Sequence, residues 1–439
     1  MVYRNKMLNN SRKFVVLLGA LLISASLSAQ YSQSSYSIFG IGEVNYGALA
    51  QNSAMAGVGL SYSSRYYVNT LNPALFGMNE NAVFHIGGSL DFRNYTNEIS
   101  EHKSSTGGFK DFVVSLPIKM RKWNLGVGIA PYSVVSYAYE TNTEGPDDTR
   151  EITSLNGKGG LDEAFVTNGF KLGNLYLGAK VGFVFGTIQK ESSSYLEGNG
   201  GTAFGNTVIT SRENFSDIYL QLGAAYKMNI TENSYLNFGA TYINDTKING
   251  KTSTYLDLQS NNGDRFSRDT LDQRPDPNIP GDAKPFITLP GRASFGVSYE
   301  KYQRFNIGLD LHTQDWTNYK DFDGQGESNF ARTYRIAIGG EMIPDTQNPG
   351  FFGLNSYRFG MYYEKTPYVI RGEDVKDFGI TFGTSFPLSA YWGLSSVNLG
   401  VTYGQRGSVG NGLIKENYFK IDFGFSVQDV TWFTRTKFN

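Results

Sequence analysis

Residues 305–312 read FNIGLDLH. Phe305, Ile307, Leu309 and Leu311 fall on one side of an extended chain, and Asn306, Gly308, Asp310 and His312 on the other. A period of two belongs to a β-strand with one apolar and one polar face. The same alternation recurs along the chain. Phe419, Ile421, Phe423 and Phe425 oppose Lys420, Asp422 and Gly424. Tyr357, Phe359, Met361 and Tyr363 oppose Arg358, Gly360, Tyr362 and Glu364. If the apolar side meets lipid, an outward Arg or Lys near the midplane costs about 2–4 kcal/mol, so the charged side faces a lumen. Candidate lumen charges are His85, Asp91, Arg93, Lys180, Asp310, His312, Arg335, Arg358, Glu364, Arg406, Lys420 and Asp422. Both signs are present, which suits pairing across an interior better than an ion-selective pore.

Working outward, fourteen such segments lie near 82–99, 107–120, 123–141, 161–172, 174–190, 205–226, 234–258, 290–301, 303–319, 329–343, 356–370, 374–387, 395–408 and 415–429. Each can cross a bilayer as a tilted strand, which takes roughly 9–11 residues. The expected fold is all-β: a 14-stranded antiparallel transmembrane β-barrel. Its connections alternate in length. Arg121-Lys122, Gly173 and Tyr302 make short turns, whereas about twenty residues precede 161 and about thirty precede 290. Short periplasmic turns alternating with long external loops fit an outer-membrane barrel. An even strand number places both chain ends in the periplasm.

Composition narrows the function classes. The chain has 439 residues, 15% aromatic, with 51 Gly and no Cys. Absence of Cys excludes disulfides, thiol catalysis, Cys-ligated metals and a lipid-anchored N-terminal cysteine. No 20-residue apolar run follows the leader, which excludes a helical membrane protein. The net charge of -1 gives no basis for nucleic-acid binding. Three His and no Gly-x-Ser-x-Gly leave nucleophilic catalysis unsupported. His312 beside Asp310 reads as a lumen polar pair. Asp264, Asp269, Asp272, Asp276 and Asp282 lack calcium-loop spacing and read as a solvated loop. The expectation is therefore no enzyme, no cofactor and no metal.

Residues 1–29 read as a secretory signal peptide: a basic stretch to Lys13, an apolar core over Phe14–Leu27, then Ser28-Ala29. Residues 30–81 form an N-terminal arm and hatch, 82–429 the barrel and 430–439 a periplasmic tail. Within Asn45–Asn81, Gly, Ala, Ser and Asn dominate and no strand pattern appears. Small residues such as Ala54, Ala56, Gly57 and Gly59 suit tight packing inside the barrel. Asn72-Pro73-Ala74 marks the turn into the first strand, because the residue before proline is pushed out of the helical region. Arg335, Arg358 and Arg406 are expected donors to hatch carbonyls.

Pro131 interrupts the third strand, whose Trp123, Leu125, Val127 and Ile129 alternate cleanly with Asn124, Gly126, Gly128 and Ala130. Proline cannot donate to the ladder, so a bulge or a local break in the wall is expected there. Gly126, Gly128 and Ala130 would leave space beside it. The alternative is a simple bend near the outer rim.

The leader, the Gly-Ala-rich segment ending in Asn72-Pro73-Ala74 and fourteen strands with an interrupted third resemble the FadL-type family of outer-membrane transporters. Tyr357–Tyr368, Gly379–Pro387, Tyr403–Gly407 and the run from Glu416 to Phe433 resemble the divergent branch of that family in Bacteroidetes. The resemblance implies passive transport of a long-chain fatty acid-like hydrophobic molecule through a plugged barrel. It implies a hatch containing Asn72, Pro73 and Ala74, and a lateral exit at the kink near Pro131. Gly128→Trp is then expected to block uptake without disturbing folding. Expected partners are the hydrophobic ligand, outer-membrane lipids and the barrel-assembly machinery; the chain is expected to be a monomer. The alternative function is a non-transport barrel serving as partner or cargo shuttle of a secretion complex.

Overall fold

The structure is a computed structural model that describes residues 34–64, 67–144, 149–197, 206–259, 265–274, 286–344, 353–388 and 395–429. The expected signal peptide and C-terminal tail lie outside these residues. So do Asp264, Asp276, Asp282 and the turn at 345–352.

Alternation of apolar and polar residues produces the strands in sequence order. β1 (Glu43–Val44) belongs to the N-terminal segment. The barrel wall then begins with β2 (Ala82–Thr96), β3 (Glu101–Lys119), β4 (Trp123–Glu144), β5 (Arg150–Leu172), β6 (Leu175–Glu197), β7 (Asn206–Thr231) and β8 (Ser234–Ile243). An outer excursion follows: β9 (Thr246–Gln259), β10 (Arg265–Arg274) and β11 (Phe286–Leu289). The wall resumes with β12 (Arg292–Lys301), β13 (Phe305–Asp315), β14 (Arg332–Met342), β15 (Ser356–Ile370), β16 (Glu373–Pro387), β17 (Ser396–Arg406) and β18 (Lys415–Asp429). β18 pairs with β2, which closes an antiparallel barrel of fourteen strands. Outward residues such as Ile307 are 49% exposed, whereas inward Asp310 is fully buried and Arg358 is 2% exposed. The face assignment made from periodicity therefore holds.

Two stretches differ from expectation. β5 begins at Arg150 rather than near 161, so most of the expected long loop is strand paired with β4 and β6. The expected seventh strand, 234–258, is two: β8 in the wall and β9, which pairs with the upper part of β7 and with β10. The reason is common to both. β7 has 26 residues, more than twice the roughly 9–11 a bilayer needs. β4 to β7 run well past the length a bilayer needs, and in residues 150–160 and in β9 the apolar residues are few among Gly, Ser, Thr and Lys, so alternation shows no continuous apolar side there.

Residues 34–64 and 67–79 lie inside the barrel against its inner face. Their regular pieces are 3-10 turns at Ser35–Ile38 and Pro73–Met78, the two-residue β1 and a short helix, α1 (Ala50–Ser53). Ser34–Ile41 lies at the external end, where Tyr36 donates to the Ile414 carbonyl at 2.7 Å and stacks on Tyr368 at 5.9 Å. Burial pushes the Tyr36 hydroxyl up to about 12, so it stays protonated and remains a donor. Trp316, Tyr319 and Phe330 complete this aromatic cluster. The chain then descends to Pro73–Asn79 at the periplasmic end and enters β2. It spans the lumen from top to bottom, rather than only folding back from below.

The wall meets this segment with glycine. Gly169 pairs with Gly178, Gly178 with Gly223, Gly239 with Gly296, Gly308 with Gly339, Gly339 with Gly360, Gly383 with Gly400, and Gly424 with Gly87. At most of these, an added Cβ would overlap the N-terminal segment: Pro73 and Ala74 at Gly178, Leu60 at Gly239, Met55 at Gly339 and Gly360. Gly178→Val is therefore expected to lower stability by about 1–3 kcal/mol, the usual cost of overpacking. The urea midpoint of the heat-modifiable band on gels reads this directly. An unchanged midpoint would show that the segment does not press on the wall there.

Candidate functional site

β3 and β4 pair from Lys119–Trp123 up to Phe112–Ile129, and then part. A bulge in each strand causes the separation. In β3, Gly87 pairs with Asp111 but Gly88 with Phe109, which leaves Lys110 as the extra residue. In β4, Pro131 pairs with Asp162 but Ser133 with Leu161, which leaves Tyr132 extra. Bulges bend the strand that carries them. Above this level β3 stays with β2 and β4 stays with β5, so a seam opens between them. Gly107 in the parted section pairs with Leu90, one of the outward apolar residues, so the seam lies at the level of the apolar belt.

The free edge of β4 is covered from within. β1 pairs with it, Glu43 opposite Val134 and Val44 opposite Ser133. The Asn45 amide donates to the Tyr132 carbonyl at 2.9 Å, and the Ser34 amide to the Ser136 carbonyl at 3.2 Å. The N-terminal segment thus stands in for the strand that β4 lacks. Charge holds it there. Arg406 bonds Glu43 at 2.7 Å and Asp377 at 2.8 Å, and Arg93 bonds Glu416 at 2.8 Å. Burial alone would raise the Glu43 carboxyl, but Arg406 and Arg93 hold it well below the usual carboxylate range. Glu416 in turn accepts from the Ser35 amide at 2.7 Å.

Behind the seam lies a cavity of about 270 Å³. Thr106, Gly108 and Lys110 line it from β3, and Pro131 and Val134 from β4. His312, Arg335, Glu364, Asp377 and Arg406 line it from β13 to β17, and Lys420 and Asp422 from β18, where Asp422 bonds Lys110 at 2.7 Å.

The expected hatch residues are all inside the lumen. The Gly59 amide donates to Asp310 at 2.7 Å. Gly57 is at φ +82, a backbone that favours glycine. Asn72 caps the 3-10 turn by accepting from the Ala74 amide at 3.0 Å, and donates to the carbonyls of Leu60 and Ala224. Pro73 supplies the first residue of that turn. Of the three arginines expected to donate to hatch carbonyls, Arg335 does so, to Ala56 at 3.0 Å. Arg358 instead pairs with Glu341 at 2.8 Å beneath the Tyr67 ring, and Arg406 reaches the side chains of Ser34 and Glu43.

The expected lumen charges all point inward; Asp91, Arg93, Arg406 and Lys420 join one network through Glu43, and others stand as separate pairs. His85 meets Asp111 at 3.0 Å, Lys180 meets Glu163 at 3.2 Å and Arg335 meets Glu364 at 3.0 Å. Asp310 and His312 do not act on each other: Asp310 caps the Gly59 and Leu60 amides, and His312 bonds Ser294 at 2.9 Å. Gly126 and Gly128 do not border open space. Phe76 and Thr167 occupy the space over Gly126, and the Phe165 ring covers Gly128. A Trp at 128 would collide with Phe165 and with the Phe112 carbonyl, so the expectation that Gly128→Trp leaves folding intact is replaced. Ala130 borders a smaller cavity beside Glu163 and Lys180, and Pro131 borders the larger one. Lys110, Tyr132 and Glu43 were missed by sequence reasoning. The pair Gly107-Gly108 just before Lys110 was the available signal.

The closed barrel, its filled lumen and the side seam define an outer-membrane β-barrel of FadL-type fold. The chain belongs to the BamG family, whose profile matches residues 11–439. Among solved structures it is similar to the toluene transporter TodX of Pseudomonas putida, with 15% identity, a TM-score of 0.54, and coverage of 89% of this chain and 99% of that one. It is similar to the Ralstonia pickettii toluene transporter TbuX at 13% identity and a TM-score of 0.53, covering 88% of this chain and 99% of that one. A Pseudomonas aeruginosa FadL homologue shares 14% identity at a TM-score of 0.52, covering 87% of this chain and 98% of that one. At such identities the likeness is one of fold. No curated protein matches the sequence.

Proposed function

We propose that the protein is a passive outer-membrane transporter of hydrophobic or amphiphilic small molecules, long-chain fatty acid-like in class, and that these leave the lumen sideways between β3 and β4. One observation carries the reading: the two strands part at Phe112 and Ile129 with a cavity directly behind. Among the described residues, the other neighbouring wall strands stay paired through the level of the apolar belt. Unpaired backbone groups facing lipid cost several kcal/mol each, so a fold that keeps such a seam has a use for it. The toluene transporters of similar fold support the same class of cargo.

The chain has no Cys, so introduced thiols are unambiguous. Thr106→Cys and Val134→Cys stand on opposite sides of the seam. Bridging them with a cleavable bifunctional maleimide is expected to stop uptake of a radiolabelled hydrophobe, and cleavage of the bridge to restore it. Undiminished uptake with the bridge in place contradicts the lateral route.

A second reading, a partner or cargo shuttle of an envelope secretion complex, draws support from how closely residues 34–64 and 67–79 contact the wall. Co-purification with a large complex, in cells whose uptake is unaffected by loss of the protein, would favour it.

A further inference from the structure

The outer surface of the barrel carries a groove that the lateral route does not use. Tyr403 on β17, Phe419 on β18 and Phe92 on β2 stand in register and face outward. They floor a groove of about 420 Å³. Two residues nearer the external end, the same face changes character. There Asn417, Asn94 and Lys103 stand in register across β18, β2 and β3, and line the upper side of the groove. One further step brings Lys415 opposite Thr96, and Thr96 opposite Glu101. The groove therefore straddles the external edge of the apolar belt, with rings below and amides and an ammonium above. Leu90, the next outward residue below Phe92, continues its floor into the belt.

Charge sets this face apart. Other outward or external cations have a carboxylate: Arg150 bonds Glu197 at 2.7 Å, Arg332 bonds Asp315 at 2.6 Å and Lys365 bonds Asp374 at 2.7 Å. Among the described residues, no carboxylate pairs with exposed Lys103, half-buried Lys415 or exposed Lys376. Lys376 stands on β16, where its carbonyl accepts from the Gly407 amide. Glu101, the acid on this face, accepts from Asn94 at 2.5 Å instead. Lys103 and Lys415 are two strands apart and two residues out of step, which places their Cα atoms roughly 12 Å apart. Their flexible stems bring both ammoniums within reach of one anion, and lysine binds phosphate as a point charge. We infer that this face holds an anionic lipid of the external leaflet, with its phosphate at Lys103 and Lys415 and an acyl chain across Phe92, Tyr403 and Phe419. A soluble anion would leave the ring floor unused. Lysine stems laid along apolar surface with the ammonium at head-group level are the usual arrangement at such an edge. The site is on the outside of the wall, so it stands or falls independently of the route between β3 and β4.

The test uses the full mature chain in nanodiscs of equal parts phosphatidylglycerol and phosphatidylcholine, followed by native mass spectrometry of the released barrel. Phosphatidylglycerol is expected to be retained about tenfold over phosphatidylcholine. Lys103→Gln with Lys415→Gln is expected to bring the two lipids to parity. If that double variant loses heat-modifiability, Lys103→Gln alone, expected to lower the preference about threefold, is read in its place. Lys119→Gln, at the periplasmic end of β3, is expected to leave the preference unchanged. Equal retention of the two lipids by the unaltered protein overturns the inference, as does a preference that survives loss of the lysines. An equal loss in Lys119→Gln shows a general attraction between cations and anionic lipid, and also overturns it. Removal of the preference by inorganic phosphate at the concentration of the lipid overturns the lipid as occupant in favour of a soluble anion.

Discussion

Deleting residues 48–76 is expected to turn a closed barrel into an open one. A 14-stranded barrel is wider than the eight strands whose interior side chains alone can fill, so removing its contents should raise single-channel conductance in planar bilayers by roughly tenfold or more. The deletion removes α1, the Gly57 to Leu60 stretch held by Asp310, and most of the Pro73–Met78 turn. It leaves β1 and its contacts to β4 in the chain. Conductance equal to that of the intact protein would show that this segment never filled the pore.

How much of this was legible follows from which properties one strand carries alone. Lipid-facing and lumen-facing sides are such a property, so the fourteen wall strands and the inward charges from His85 to Arg406 could be read from alternation. Asn72-Pro73-Ala74 was legible because its turn chemistry is local. The bulges at Lys110 and Tyr132 were not, because a bulge is a relation of register between two strands and neither sequence records its partner. Pro131 signalled one side of that relation only. Gly126 and Gly128 misled for the same reason. Read alone they leave room, but Phe76 comes from about fifty residues earlier in the chain and Phe165 from the next strand. The external end of β5 was hidden because its apolar residues are few among Gly, Ser, Thr and Lys.

The second large effect concerns Arg358. It is 2% exposed, bonds Glu341 at 2.8 Å, donates to Ser385, and lies over the Tyr67 ring at 5.4 Å. Arg358→Ala leaves Glu341 buried with its main cation gone. Breaking a buried pair in this way typically costs about 3–5 kcal/mol. Tyr67 also donates to Glu341, at 3.2 Å, so the same change loosens the N-terminal segment on that side. Removing both charges should cost less than removing one, because no uncompensated ion remains. The expected order of urea midpoints is therefore wild type, then Arg358→Ala with Glu341→Ala, then Arg358→Ala alone. A double variant no more stable than the single one would show that the pair is not what Arg358 supplies.

The central claim is that the N-terminal segment is seated against the inner wall. Ala54 and Gly400 test it most directly. A Cβ on Gly400 would stand 3.3 Å from that of Ala54, close to the roughly 3.5–4.5 Å spanned by a disulfide. With no native Cys, Ala54→Cys with Gly400→Cys should oxidise to one internal disulfide in intact outer membranes, detected as loss of both thiols to maleimide labelling and their return on reduction. Two thiols that stay reactive after oxidation, in a barrel that is otherwise heat-modifiable and folded, would contradict the account.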